Sequence, residues 1–236
     1  GALLVNLLSV LALVGFIYFV SQHLQLIVGL SPMNAGLALV PGLVLMIVSG
    51  LAVVPVAKRV SPRVVIPVAL VFSFVGYVMV ALSTDPGSVA LLVVAFMVLG
   101  IGIGAAETVS NELVLASAPP AKAGAASAVS ETAYEVGAVL GTSLLGGLLT
   151  ALYRANLVVP QGVPAEVADA ARETLAGAVS AANGLAPEMG AALRDAAAHA
   201  FDAGVGVTSL IGAGLVVVAA VIAATTLGSS RNSPRR

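Results

Sequence analysis

Long apolar runs separated by short polar links dominate this chain. Six of them approach or exceed the roughly 20 residues needed to cross a hydrocarbon core. They cover residues 2–28, 35–57, 63–82, 88–115, 124–152 and 204–227. Lipid offers the backbone no hydrogen-bond partners, so a spanning segment is a helix or part of a closed barrel, and these runs are far too long for strands. The pattern predicts an all-α transmembrane fold of six spans. The links carry turn chemistry. Ser31 is placed to cap a helix that Pro32 opens. Ser83-Thr84-Asp85-Pro86-Gly87 reads as a tight polar turn, and Ala118-Pro119-Pro120 as a stiff break. Pro41, Pro55 and Pro67 fall within spans, where neighbouring helices re-satisfy the freed carbonyls.

One connection is long, from 153 to 203. Val167, Ala171, Leu175 and Val179 recur every fourth residue there, an apolar stripe of helical period within 164–182. Asn183-Gly184 suits a helix end, and Pro187 opens a second helix presenting Met189, Leu193, Ala197 and Phe201. Both arms carry too much charge to span. The expected organisation is five spans in 1–153, an external helical hairpin in 154–203, and a last span with a basic tail in 204–236.

Composition supports a lipid environment. Only 9% of the 236 residues are charged and 59% are hydrophobic, against about 25% charged in soluble domains. Mean hydropathy is +1.10. A net charge of −1 gives no case for nucleic acid. The absence of cysteine excludes disulfides and thiolate sites, and His23 and His199 are too few for most histidine-based metal sites. No nucleotide-binding loop or nucleophile elbow occurs, so neither a cofactor nor an enzyme activity is expected. Arginine outnumbers lysine, which suits a bacterial source. Gly1 lies inside an apolar run, without an initiator Met or a signal-peptide pattern, so the chain is expected to begin within a longer protein.

The charges predict an orientation. Lys58, Arg59, Arg63, Lys122, Arg231, Arg235 and Arg236 fall on one side if six spans alternate. The other side holds Asp85 and the 154–203 segment, where acids outnumber bases. The positive-inside rule assigns the first set, and the C-terminus, to the cytoplasmic face of a cell (inner) membrane.

Four acids lie within spans: Glu107, Glu112, Glu131 and Glu135. A charge at a helix centre costs roughly 2.5–3.5 kcal/mol on the insertion scale, which makes such acids functional candidates. Glu131 and Glu135 are four apart and share a helix face. At 1.5 Å per residue from Gly124, Glu135 lies about 16 Å in, near the midplane. Ser127, Ala128, Ala138 and Thr142 extend that face with small or polar groups, so it is expected to border a cavity or a close helix. Tyr134 sits between the acids and can offer its ring to a cation. Two carboxylates this close in low dielectric repel, which favours exchanging a proton for a cationic substrate. Glu107 and Asn111, also four apart, are candidates for lining the pathway, as are Gln22 and Gln25 at the other end of the first span. Glu112 reads as a solvated acid near the interface. Gly100-x-x-x-Gly104 and Gly137-x-x-x-Gly141 read as packing seams.

Two stretches carry a family resemblance. Gly29-Leu-Ser-Pro-Met-Asn-Ala-Gly36 with Val40-Pro41-Gly42 resembles the junction of the ninth and tenth helices in the fourteen-helix drug:proton antiporters of the major facilitator superfamily. The run from Ala123 through Glu131, Tyr134, Glu135 and Gly137 to Gly141 is similar to the thirteenth helix of the QacA-like multidrug exporters, where two acids have this spacing around a Tyr. The resemblance implies a six-helix C-terminal domain facing a missing N-terminal one, with alternating access. It also implies proton-coupled export of lipophilic cations, with the acidic pair carried over to Glu131 and Glu135. Some relatives have a further acid in the tenth helix. The corresponding span here holds only apolar and small residues beyond Pro41, Met46 among them. Export of a neutral or anionic metabolite or lipid by the same fold is the alternative expectation.

Overall fold

A computed structural model describes residues 1–83 and 88–227. Most of the expected 83–87 turn, including Asp85, and the arginines of the basic tail lie outside the described residues. Six helical segments among the described residues are long and apolar enough to cross a membrane. They are α1 (Ala2–Gln22, continued by a π-helical turn His23–Ile27), α2 (Pro32–Ala57), α3 (Pro62–Ala81) and α4 (Val89–Ala116). The fifth combines α5 (Ala123–Leu140), a π-helical turn (Gly141–Gly146) and α6 (Gly147–Asn156). Two short helices, α7 (Ala165–Glu173) and α8 (Leu175–Ala182), precede the sixth, α9 (Pro187–Thr226).

Local chemistry sets the ends. The Asn34 amide donates to Ser31 Oγ at 3.2 Å, and Pro32 occupies the first turn. Gly29 has φ of +78°, a left-handed conformation that a side chain would strain, and it turns the chain from α1 into α2. Prolines 41, 55 and 67 are accommodated within helices.

The core lies where α1, α3, α4 and α9 meet. Phe16 stacks on Phe96 at 5.8 Å and meets Tyr77 edge-on at 5.4 Å. The buried Tyr77 hydroxyl donates to the Ala12 carbonyl, and its ring lies against Gly212 of α9. Small residues bring the backbones together elsewhere. A Cβ at Gly100 would stand 2.8 Å from the Gly42 carbonyl, and one at Gly104 would collide with the Met46 carbonyl. The first seam therefore joins α4 to α2. The second joins the fifth span to α1, since Cβ atoms at Gly137 and Gly141 would stand 2.7 and 2.6 Å from the Leu7 and Leu11 carbonyls. By contrast α2 buries little beyond Ala35, Leu39, Gly42, Gly50 and Val53, and leaves Leu37, Val44, Ile47, Val48 and Leu51 exposed.

The hairpin differs from the sequence expectation in two ways. Its first arm is not one helix over 164–182. Thr174 is extended, with φ −153° and ψ 158°, and its Oγ1 accepts from the Gly177 amide at 3.0 Å. A threonine able to cap a new helix outcompetes continuation of the old one. The apolar stripe survives the break, because Ala171 and Leu175 are both buried. Its second arm does not end at 203. The helix that Pro187 starts runs unbroken to Thr226, since no residue near Gly204 removes a donor and that glycine packs against Leu149.

Candidate functional site

A cavity of about 450 Å³ opens between α2, α4 and α5. Met46, Ile47, Gly50, Leu51 and Val54 form one wall, Gly104, Glu107, Thr108 and Asn111 the floor, and Tyr134 the other wall. Gly104 brings α4 against the Met46 carbonyl of α2, and the next turn of α4 carries the polar residues of the cavity. Glu107 and Asn111 are four apart and share a helix face, and Thr108 borders the same cavity from the adjacent position. The opposite side of α4 is buried through Ala106, Val109 and Ser110.

The polar groups differ in how they are satisfied. Thr108 Oγ1 donates to the Gly104 carbonyl at 2.8 Å. Asn111 Oδ1 accepts from Ser130 Oγ of α5 at 2.8 Å. Glu107 Oε1 is out of contact with solvent and has no hydrogen-bond partner. A carboxylate left like this is costly unless a cation or a proton joins it. Tyr134 lines the same cavity as Glu107.

Glu131 and Glu135 are exposed, on a side of α5 that no other described residue buries. Ser127, Ala128 and Thr142 are exposed with them. Ser130 and Gly137, on the far side of the same helix, are buried. The acidic pair is not among the residues lining the Glu107 cavity. Tyr134 stands between the pair and the cavity. Glu112 is exposed, as a solvated acid would be.

Gln22 and Gln25 lie elsewhere. Gln22 borders a small cleft with Tyr18, Tyr153 and Phe201, and Gln25 Nε2 donates to Ser21 Oγ at 2.8 Å. Neither reaches the Glu107 cavity. Between them the buried His23 meets Asp202 of α9, with Nδ1 and Oδ1 3.1 Å apart, and faces Phe201. Sequence reasoning missed this pair because 179 residues separate its members. It also missed Met46 and Thr108 as cavity residues, since neither is an unusual residue for a span.

Comparisons with known proteins agree on a family. A model described as Major Facilitator Superfamily matches residues 2–142. The multidrug efflux pump LfrA of Mycolicibacterium smegmatis is 48% identical over 222 residues, covering 94% of this chain and 44% of the pump. The methyl viologen resistance protein SmvA of Salmonella typhimurium is 33% identical over 77% of this chain and 37% of its own length. The puromycin resistance protein pur8 of Streptomyces alboniger is 33% identical over 72% and 34%. The chain thus spans less than half the length of each of these curated relatives. Among solved structures, an inward-facing, unoccupied bacterial homologue of the human lysosomal transporter Spinster superposes with a TM-score of 0.63 at 16% identity. It covers 97% of this chain and 49% of that one, a likeness of fold.

Proposed function

The chain belongs to the Major Facilitator Superfamily, and from that premise we propose that it is the C-terminal six-helix half of a fourteen-helix exporter that exchanges protons for lipophilic organic cations. The observation that carries this reading is the run of acids around one aromatic residue. Glu107 lies on one side of Tyr134, and Glu131 and Glu135 occupy the uncovered side of the same helix. An exposed acidic pair near mid-membrane depth is expensive against lipid. It suits a face that meets another domain across a water-filled pathway. The relatives' names point the same way, since two are resistance proteins and one is a multidrug efflux pump.

In this mechanism Glu135 takes a proton from outside as a cation leaves. It gives up the proton to the cytoplasm as the next cation arrives. Glu131, one turn nearer the basic side, holds part of the cation's charge and repels a second negative charge. Tyr134 offers its ring face to the cation. Gln22 and Gln25, at the hairpin end, line the outer mouth. The basic side, with Lys58, Arg59, Arg63 and Lys122, is cytoplasmic. Two half-units rocking about a midplane site give alternating access. The acids weigh against an anionic cargo.

The test is substrate-induced proton release from the purified full-length transporter, read with a pH indicator while a lipophilic cationic dye is added. Release that saturates with dye supports exchange. Dye transport in vesicles with no proton movement overturns it.

A further inference from the structure

We infer that Glu107 is the counter-charge for the cationic centre of the cargo, seated in the cavity between α2, α4 and Tyr134. The inference rests on the export reading above but concerns a different acid from the coupling pair.

The geometry supplies the argument. Of the residues lining this cavity, Glu107 is the only one that ionises as a carboxylate. Its Oε1 has neither solvent nor a hydrogen-bond partner, whereas its neighbours Thr108 and Asn111 are both engaged. The nearest walls give it no help: α2 contains no basic residue, and Met46, Ile47 and Leu51 are apolar. A carboxylate in that position takes up a proton or pairs with a cation brought from elsewhere. The rest of the wall fits an organic cation. Tyr134 provides an aromatic face. Met46 provides a flexible, polarisable thioether that adapts to different shapes. A volume of about 450 Å³ falls in the range of drug-sized sites. Glu135, exposed on α5, remains free to exchange protons while Glu107 holds the cargo.

The experiment measures binding rather than transport. Full-length transporter in detergent is titrated with a quaternary ammonium dye and, separately, with an uncharged dye of similar size. Glu107→Gln is expected to weaken the cation by about tenfold to a hundredfold, the range for losing a hydrogen bond to a charged group. It should leave the neutral dye within about twofold. Unchanged cation binding, or an equal loss of both dyes, overturns the inference. If Glu107→Gln does not insert, Met46→Glu replaces it as the probe. It adds a carboxylate to the same cavity and is expected to tighten the cation severalfold and not the neutral dye; unchanged cation affinity again overturns the inference. The export reading fails separately, when wild-type vesicles bind the cation yet show no proton-driven efflux.

Discussion

Ser130 of α5 donates a 2.8 Å hydrogen bond to Asn111 Oδ1 of α4, and each partner lies one helical turn from a cavity residue, Tyr134 and Glu107 respectively. The bond fixes the two walls against each other where few other contacts join α4 to α5. Ser130→Ala is expected to cost about 1 kcal/mol of stability, as for a neutral hydrogen bond. The substitution takes away the Asn111 Oδ1 partner on α5. The readout is twofold: a modest fall in the thermal midpoint of the purified protein, and a severalfold loss of dye affinity. A mutant with wild-type affinity would show that the walls are held by packing alone.

Glu135→Gln keeps the shape of the side chain and removes its titration. Proton-driven efflux is expected to be abolished while cation binding persists. Glu131→Gln is expected to weaken efflux and shift its pH dependence, because the neighbouring charge is gone. Efflux and proton release measured between about pH 6 and 8 separate the two roles. Normal coupling in well-expressed Glu135→Gln would return that residue to an interface role.

Gly104 has no room for a side chain, because the Met46 carbonyl of α2 lies against it. Gly104→Leu is expected to push α2 from α4 and to cost about 1–3 kcal/mol or more, the usual range for overpacking. Gly147 has nothing within 4 Å of a built Cβ, so Gly147→Ala should be tolerated. Comparing detergent-solubilised yield and melting of the two variants tests whether the cavity depends on the seam.

The sequence reveals the spans because a 20-residue apolar run has few alternative fates, and it reveals the packing seams because only small residues allow backbones this close. Glu107, Glu131 and Glu135 stand out for the same physical reason: charge is rare where solvation is poor. What periodicity does not reveal is which side of a helix faces which neighbour. The exposure of Glu131 and Glu135 goes with the packing of the fifth span against α1 through Gly137 and Gly141, and the place of Glu107 beside α2 goes with the close contact at Gly104. The break at Thr174 was hidden because an apolar stripe continues across it, and the continuity through Gly204 because a glycine so placed reads equally as an end.

Sidedness is open to direct labelling. Arg59→Cys and Lys122→Cys are expected to react from the cytoplasmic side only, and Glu188→Cys from outside, in intact cells with an impermeant thiol reagent. These 236 residues contain no cysteine that would add to the signal. External reaction at residue 59 would reverse the orientation.

The hairpin is expected to tune transport rather than carry it. Its first arm is tied to the fifth span at two points. Tyr153 donates to the Ala171 carbonyl at 2.7 Å, and Arg154 Nε to the Glu173 carbonyl at 3.1 Å. Its second arm is the beginning of α9 itself, held to α1 by His23 and Asp202. A deletion must therefore stop before Pro187, or it removes the start of a spanning helix. Replacing 158–185 by a short flexible linker should leave proton coupling measurable and alter rate or substrate range. Tyr153→Phe removes only the hydroxyl and should loosen α7 by about 1 kcal/mol, seen as faster amide exchange in 165–173 with the spans unaffected. Full loss of coupling in a correctly inserted deletion, with Tyr153→Phe impaired in proportion to its loosening, would place the hairpin within the transport cycle.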